Sequence, residues 1–132
     1  MRREFKLPAE DMEFLDRLGL PWETVQAANV QWLIVRGYSL PAGYGRAVCD
    51  VAIQIVANYP DAALDMAHFY PSLSRSDGRA IPNTATVQLD ELQWQMWSRH
   101  RTESNPWIFG EDNLESHMQF VDAWLAGELE RG

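Results

Sequence analysis

Few side chains in this sequence can do nucleophilic, acid–base or metal chemistry: one cysteine, Cys49, and three histidines, His68, His100 and His117. Cys49 alternates in phase with Val51, Ile53 and Ile55, the spacing of one strand face. Its thiol therefore reads as a buried group with a raised pKa and little thiolate. A lone cysteine also leaves no disulfide framework within the chain and no Cys-based zinc cluster. The histidine spacings fit no local ligand motif such as H-x₃-H, so neither a metal nor a cofactor is expected. His68 lies in an apolar segment and His117 beside an aliphatic stripe. His100 is the stronger catalytic candidate: Arg99 and Arg101 flank it, a setting in which an imidazole serves as a proton or hydrogen-bond acceptor. Ser98 precedes it by two positions, yet residues so placed on one strand lie about 7 Å apart, too far for a nucleophile–base pair. No Gly-rich phosphate loop or basic–aromatic stripe accompanies these groups.

The elements that must hold them follow from periodicity. Pro8, the acidic Glu10 and Asp11, an apolar stripe through Met12, Leu15 and Leu18, and Gly19 as a stop predict a helix over Ala9–Leu18. Glu23–Ala28 is expected to add a short helical turn. From Val30 the period becomes two, predicting a strand that ends near Gly37, then a loop over Tyr38–Gly45 and a second strand over Ala47–Ala57. A third strand is expected over Leu64–Tyr70. Ser72–Thr84 is the longest irregular stretch, and stretches of this kind are usually functional or mobile. Thr86–Leu89 predicts a short strand, and the alternation of Trp94, Met96, Ser98 and His100 favours strand over helix for Glu91–Arg101. Thr102–Gly110 reads as a loop. Asp112 with Glu115 three positions on has the pattern of a capping box, and Leu114, Met118, Val121, Leu125 and Leu129 predict a helix over Asn113–Glu130.

The order is helix, three to four meandering antiparallel strands, an irregular flap and a closing helix: an α+β fold read as one domain over residues 1–132. A chain of 132 residues, 46% of them hydrophobic, can bury a real core without staples. Nineteen acidic against eleven basic residues, a formal charge of −8, argue against nucleic acid and against anionic membranes as partners. They favour a neutral or basic protein partner. The single cysteine, the N-terminus and the absence of a long apolar run together lead to an expected cytoplasmic location.

The segments Ile55-Val-Ala-Asn-Tyr-Pro60, Ile81-Pro82-Asn83, Val87-Gln88-Leu89-Asp90 and Trp97-Ser98 occur in an order that resembles the ubiquitin-conjugating enzyme (UBC) superfamily, with its cysteine-free variant (UEV) and RWD relatives. They look like that family's strand ending in Tyr59-Pro60, its His-Pro-Asn, its Ile-Cys-Leu-Asp and its Trp-Ser. Leu40-Pro-Ala-Gly-Tyr44, Leu64-Asp-Met-Ala-His-Phe-Tyr-Pro71 and Trp97-Ser-Arg-His-Arg101 resemble a bacterial branch associated with ubiquitin-like proteins, activating-enzyme-like proteins and JAB-type peptidases. The likeness covers Pro8 to Leu129, with no room for the family's last two helices.

What the resemblance implies is changed by its departures. Conjugating enzymes accept a ubiquitin-like C-terminus on a cysteine thiolate, a good nucleophile and a good leaving group. Pattern alignment puts Gln88 at that position; counting the family's usual spacing from Asn83 points to Glu91. Ile81 replaces the His of His-Pro-Asn, while Pro82 and Asn83 are kept. The resemblance therefore implies a non-catalytic variant that binds and positions a ubiquitin-like protein or its activating enzyme. One alternative is an active enzyme that uses Cys49 or His100 instead. Another is a small acidic immunity or inhibitor protein. Of the six Trp, Trp32 and Trp124 read as core. Trp94, Trp97 and Trp107 either pack the seam between sheet and helix or, with Arg99 and Arg101, form a partner-binding patch.

Overall fold

Where a helical turn is expected over Glu23–Ala28, Trp22–Ala27 is a strand that pairs along its whole length with the next one, from Trp22↔Val35 to Ala27↔Val30. The two residues joining them, Ala28 and Asn29, both have positive φ, 51° and 65°. That is the geometry of a tight hairpin turn, for which Asn is a usual residue and Ala is not. The alanine hid the hairpin, and cross-strand pairing overrode local preference.

The computed structural model describes residues 1–131. Among them the order is α1 (Ala9–Leu18), β1 (Trp22–Ala27), β2 (Val30–Ser39), β3 (Val48–Ile55), β4 (Ala67–Tyr70), β5 (Thr84–Leu89), β6 (Leu92–Trp97) and α2 (Leu114–Glu130). The architecture is α+β, with two helices and one antiparallel sheet in the spatial order β1-β2-β3-β4-β6-β5. Six strands form it, against the three to four expected. The unexpected strand is β1, whereas β5 and β6 fall in the Thr86–Leu89 and Glu91–Arg101 segments expected to be extended and pair as a hairpin that turns at Asp90 and Glu91, both at positive φ. β2 runs past the expected stop at Gly37 through a bulge between Val35 and Tyr38. Gly37 supplies the left-handed φ of 69° there, and its N–H reaches Asp50 Oδ1 at 3.1 Å. β4 begins later than expected because Met66, at φ 57°, turns the chain just before Ala67.

The helices cover one face of the sheet, where Leu33, Val51, Ile53, Phe69 and Trp97 meet Leu15 of α1 and Leu114, Met118, Val121 and Leu125 of α2. The apolar positions of α2 fall at helical spacing, which is why its long amphipathic stripe was legible in the sequence. Its cap lies one residue beyond the expected Asp112. Asn113 Oδ1 accepts from Ser116 N at 3.0 Å, and Ser116 Oγ accepts from Asn113 N at 2.9 Å. Asp11 ties the helices together: its carboxylate accepts from the Tyr59 hydroxyl and from Leu114 N at 3.3 Å.

The other face is concave. Val25, Trp32, Ile34, Ala52, Leu89 and Trp94 form one buried cluster, so the two ends of the sheet meet across it. Arg2 clasps those ends, reaching Glu23 on β1 at 3.1 Å and Asp90 in the β5–β6 turn at 2.7 Å.

Candidate functional site

β6 stops at Trp97, and the chain that leaves it builds the site. Ser98 N donates to the carbonyl of Asn83 at 2.9 Å, and the carbonyl of Arg99 accepts from Met66 N at 3.2 Å. Residues 98–101 are therefore held between the β5 entry and the β4 entry, off the pleat of a strand. Released from the pleat, Ser98 Oγ lies 3.3 Å from His100 Nε2. The separation of about 7 Å expected for a strand does not apply here, and this corrects the sequence reading. The other ring nitrogen, Nδ1, lies 2.9 Å from each carboxylate oxygen of Asp65. A carboxylate only accepts, so Nδ1 carries the proton, and in the neutral imidazole the Nε2 lone pair faces the Ser98 hydroxyl. Ser98, His100 and Asp65 thus form one hydrogen-bonded row, from hydroxyl to imidazole to carboxylate.

Asp65 escaped the sequence reading because it is 35 positions from His100 and belongs to no motif spacing. A third histidine fixes it in place. His117, buried on α2, lies with Nε2 2.9 Å from the carbonyl oxygen of Met66, the residue after Asp65. Met66 N also reaches Asp65 Oδ1 at 3.1 Å. Burial holds the His117 imidazole below its ordinary pKa, so it acts as a neutral donor.

The flanking arginines, expected to surround His100, turn away from it. Arg99 lies over the Trp97 ring at 4.9 Å and donates to the carbonyls of Pro82 and Asn83 at 3.2 and 3.4 Å. Arg101 packs over Trp107 and Phe120 at 4.9 and 4.3 Å and donates to Asp112 at 3.3 Å. Asp65 alone of these charged groups meets the ring. His100 and Asp65 remain open to solvent, with side chains 56% and 46% exposed. They line a recess of about 320 Å³ together with Ala63, Leu64, Arg101 and Trp107. A second recess of about 350 Å³ opens on the Asn83 and Arg99 side, reaching Trp124 and Arg131.

The Tyr-Pro motif anchors the rim. Trp107 Nε1 donates to the carbonyl of Pro60 at 3.0 Å, and its ring tilts against Tyr59 at 6.1 Å between centroids. Immediately after it, Ile108 and Phe109 are exposed, Phe109 by 69%. An apolar tip is thus carried on an anchored base beside the Ser98–His100–Asp65 group.

The remaining candidates lie elsewhere. Cys49 is buried in β3, and burial pushes its thiol up to about 12, which leaves no thiolate to use. Trp94 and Trp97 are buried, one on each face of the sheet, so their side chains belong to the core rather than to an open contact patch. Trp107 is half-buried and keeps an edge at the recess. Gln88 and Glu91 stand at the turn end of the β5–β6 hairpin, whereas Asn83 and Ser98 meet at its open end. His68 faces the concave side, edge-on to Trp32 at 4.9 Å. Among the described residues, no group of three or more His, Cys, Asp and Glu is arranged to hold a metal ion, and no helix is long and apolar enough to cross a membrane.

The model of one protein family, described as Prokaryotic E2 family E, matches residues 7–128. No curated protein and no solved structure matches the chain. The matched span runs from just before α1 almost to the end of α2 and includes Asn83, Ser98, His100 and Asp65. An E2-like scaffold whose one cysteine is sealed in β3 and whose polar site is built on Ser98, His100 and Asp65 is therefore a member of Prokaryotic E2 family E.

Proposed function

We propose that this protein binds a ubiquitin-like protein or its activating enzyme and positions the ubiquitin-like tail without carrying it as a cysteine thioester. The observation that carries the reading is the placement of Cys49. In an E2-family fold the one thiol of the chain points into the core, in phase with Val51 and Ile53, with its pKa raised to about 12. The open polar groups, Asn83, Ser98 and His100, instead lie between two recesses and beside the apolar tip at Ile108 and Phe109. An exposed aromatic on an anchored base is the kind of residue that dominates protein–protein contacts. The acidic charge of the chain suits a partner of neutral or basic surface. A JAB-type peptidase belongs to the same proposed set of partners.

The test is a titration of isotope-labelled protein with a ubiquitin-like protein and with an activating-enzyme-like protein from the same organism. Chemical-shift changes gathered at Asn83, Ser98, His100 and Trp107–Phe109 are expected. Spectra unchanged by every such partner would overturn the proposal.

A further inference from the structure

We propose that Ser98 is an acyl-accepting nucleophile, with His100 as its general base and Asp65 as the residue that positions His100, and that the group it accepts is a thioester-activated acyl chain. The inference rests on the reading above for its acyl donor, the tail handed on by an activating-enzyme-like partner. Its chemistry stands on the geometry of the three side chains.

Three observations carry it. The hydroxyl of Ser98 is 3.3 Å from the nitrogen that holds the imidazole lone pair, the approach a base needs to take the proton. The opposite nitrogen is held by both oxygens of Asp65 at 2.9 Å, which fixes the tautomer and the ring plane. Both strands of this contact are secured from behind by Met66, through the Arg99 carbonyl at 3.2 Å and through buried His117 at 2.9 Å. An incidental surface contact has no such support.

Exposure selects the substrate class. With His100 56% open, water screens the pair, and little of the charge stabilisation of an enclosed site is on hand to expel an amine. A thiol, with an ordinary pKa of about 8.5, departs as thiolate without prior protonation. In the step, the Ser98 Oγ–carbon bond forms as its proton passes to His100 Nε2, and the carbon–sulfur bond breaks. The departing thiolate takes that proton from the imidazolium, leaving an oxyester on Ser98 and a free thiol. Water or an amine then attacks the oxyester carbon, its proton returning through His100 to Ser98 Oγ as that bond breaks.

The full chain is incubated with the N-acetylcysteamine thioester of acetylglycine, thiol release is followed by a chromogenic disulfide, and the protein is weighed intact and mapped by peptide. A burst of about one thiol per chain and one acetylglycyl group on Ser98, removed by hydroxylamine, are expected. Ser98→Ala abolishes both, and His100→Gln slows the burst by about 100-fold or more. Asp65→Asn slows it by about tenfold or more while Asp65→Glu restores part of the rate, as a positioning role requires. No burst and no added mass on the wild-type chain overturns the proposal, as does a burst that survives in Ser98→Ala. Partner-induced shifts without acylation remove the serine step and leave the docking reading standing. Acylation without any partner binding removes the docking reading and, with it, the assignment of the acyl donor.

Discussion

His117 donates its Nε2 proton to the carbonyl oxygen of Met66 at 2.9 Å, a bond between the buried face of α2 and the turn that presents Asp65. The carbonyl can only accept, so the tautomer is fixed by its partner. The bond crosses 51 positions of sequence and connects a core helix to the open site. Replacing His117 by Leu keeps an apolar body of similar bulk but strands the Met66 carbonyl. A loss of about 1–3 kcal/mol is expected in chemical denaturation. The same variant should move the His100 ring resonances, because the Asp65–Met66 turn loses its rear support. Unchanged His100 resonances would show that Asp65 is held by other means.

The two buried histidines set an acid limit on stability. His68 is held down to about 4, chiefly by burial, and His117 is lowered for the same reason. A histidine whose folded pKa lies below its unfolded value stabilises the fold fully above the unfolded pKa and loses that contribution as pH falls toward the folded one. Stability should therefore be level above pH 6.5 and fall between about 6.5 and 4, with His68 alone accounting for about 3 kcal/mol. Glu23 acts lower down: Arg2 holds its carboxylate at about 2, so its contribution disappears as pH falls below about 4.5. Denaturation midpoints at half-unit pH steps check this, and His68→Gln should flatten the upper part of the fall. A level profile from 6.5 to 4 would contradict it.

These groups differ in how far the sequence revealed them. The burial of Cys49 was legible because strand alternation is a strong local signal, and α2 was legible because its stripe repeats over 17 residues. The hairpin at Ala28-Asn29 was not, since an alanine sits where the turn needs positive φ. The Ser98–His100 contact was misjudged by extending strand geometry through Arg101, whereas β6 ends at Trp97. Asp65 and His117 could be found only in three dimensions. Each reaches the site through a contact dozens of positions distant in sequence, and no local spacing encodes such a contact.

The sealed thiol of Cys49 gives a clean control on mechanism. At 3% exposure and a pKa near 12, it should resist iodoacetamide in the folded protein and react at the ordinary rate once unfolded. Cys49→Ala removes a small buried group and should cost about 1–2 kcal/mol. It should leave partner binding and Ser98 acylation unchanged, because Cys49 lies on β3 within the core. Rapid native alkylation, or loss of binding in the folded Cys49→Ala variant, would place the thiol in the working site after all.

Trp107 and Phe109 separate anchoring from contact within three positions. Trp107 is fixed by its bond to the Pro60 carbonyl, its packing on Tyr59 and the Arg101 guanidinium 4.9 Å above its ring. Phe109 is 69% exposed. Trp107→Ala should therefore lower stability by about 2 kcal/mol, less than a fully buried Trp because part of its surface is already wet. Phe109→Ala should leave stability within about 0.5 kcal/mol. Partner affinity should fall in both, by about tenfold for Phe109→Ala if it fills a pocket on the partner as an interface anchor does. Calorimetric titration against the proposed ubiquitin-like or activating-enzyme-like partner, paired with denaturation of each variant, measures both quantities. Undiminished affinity in Phe109→Ala would move the contact surface away from this tip, toward the recess between Asn83 and Arg131 on the other side of Ser98.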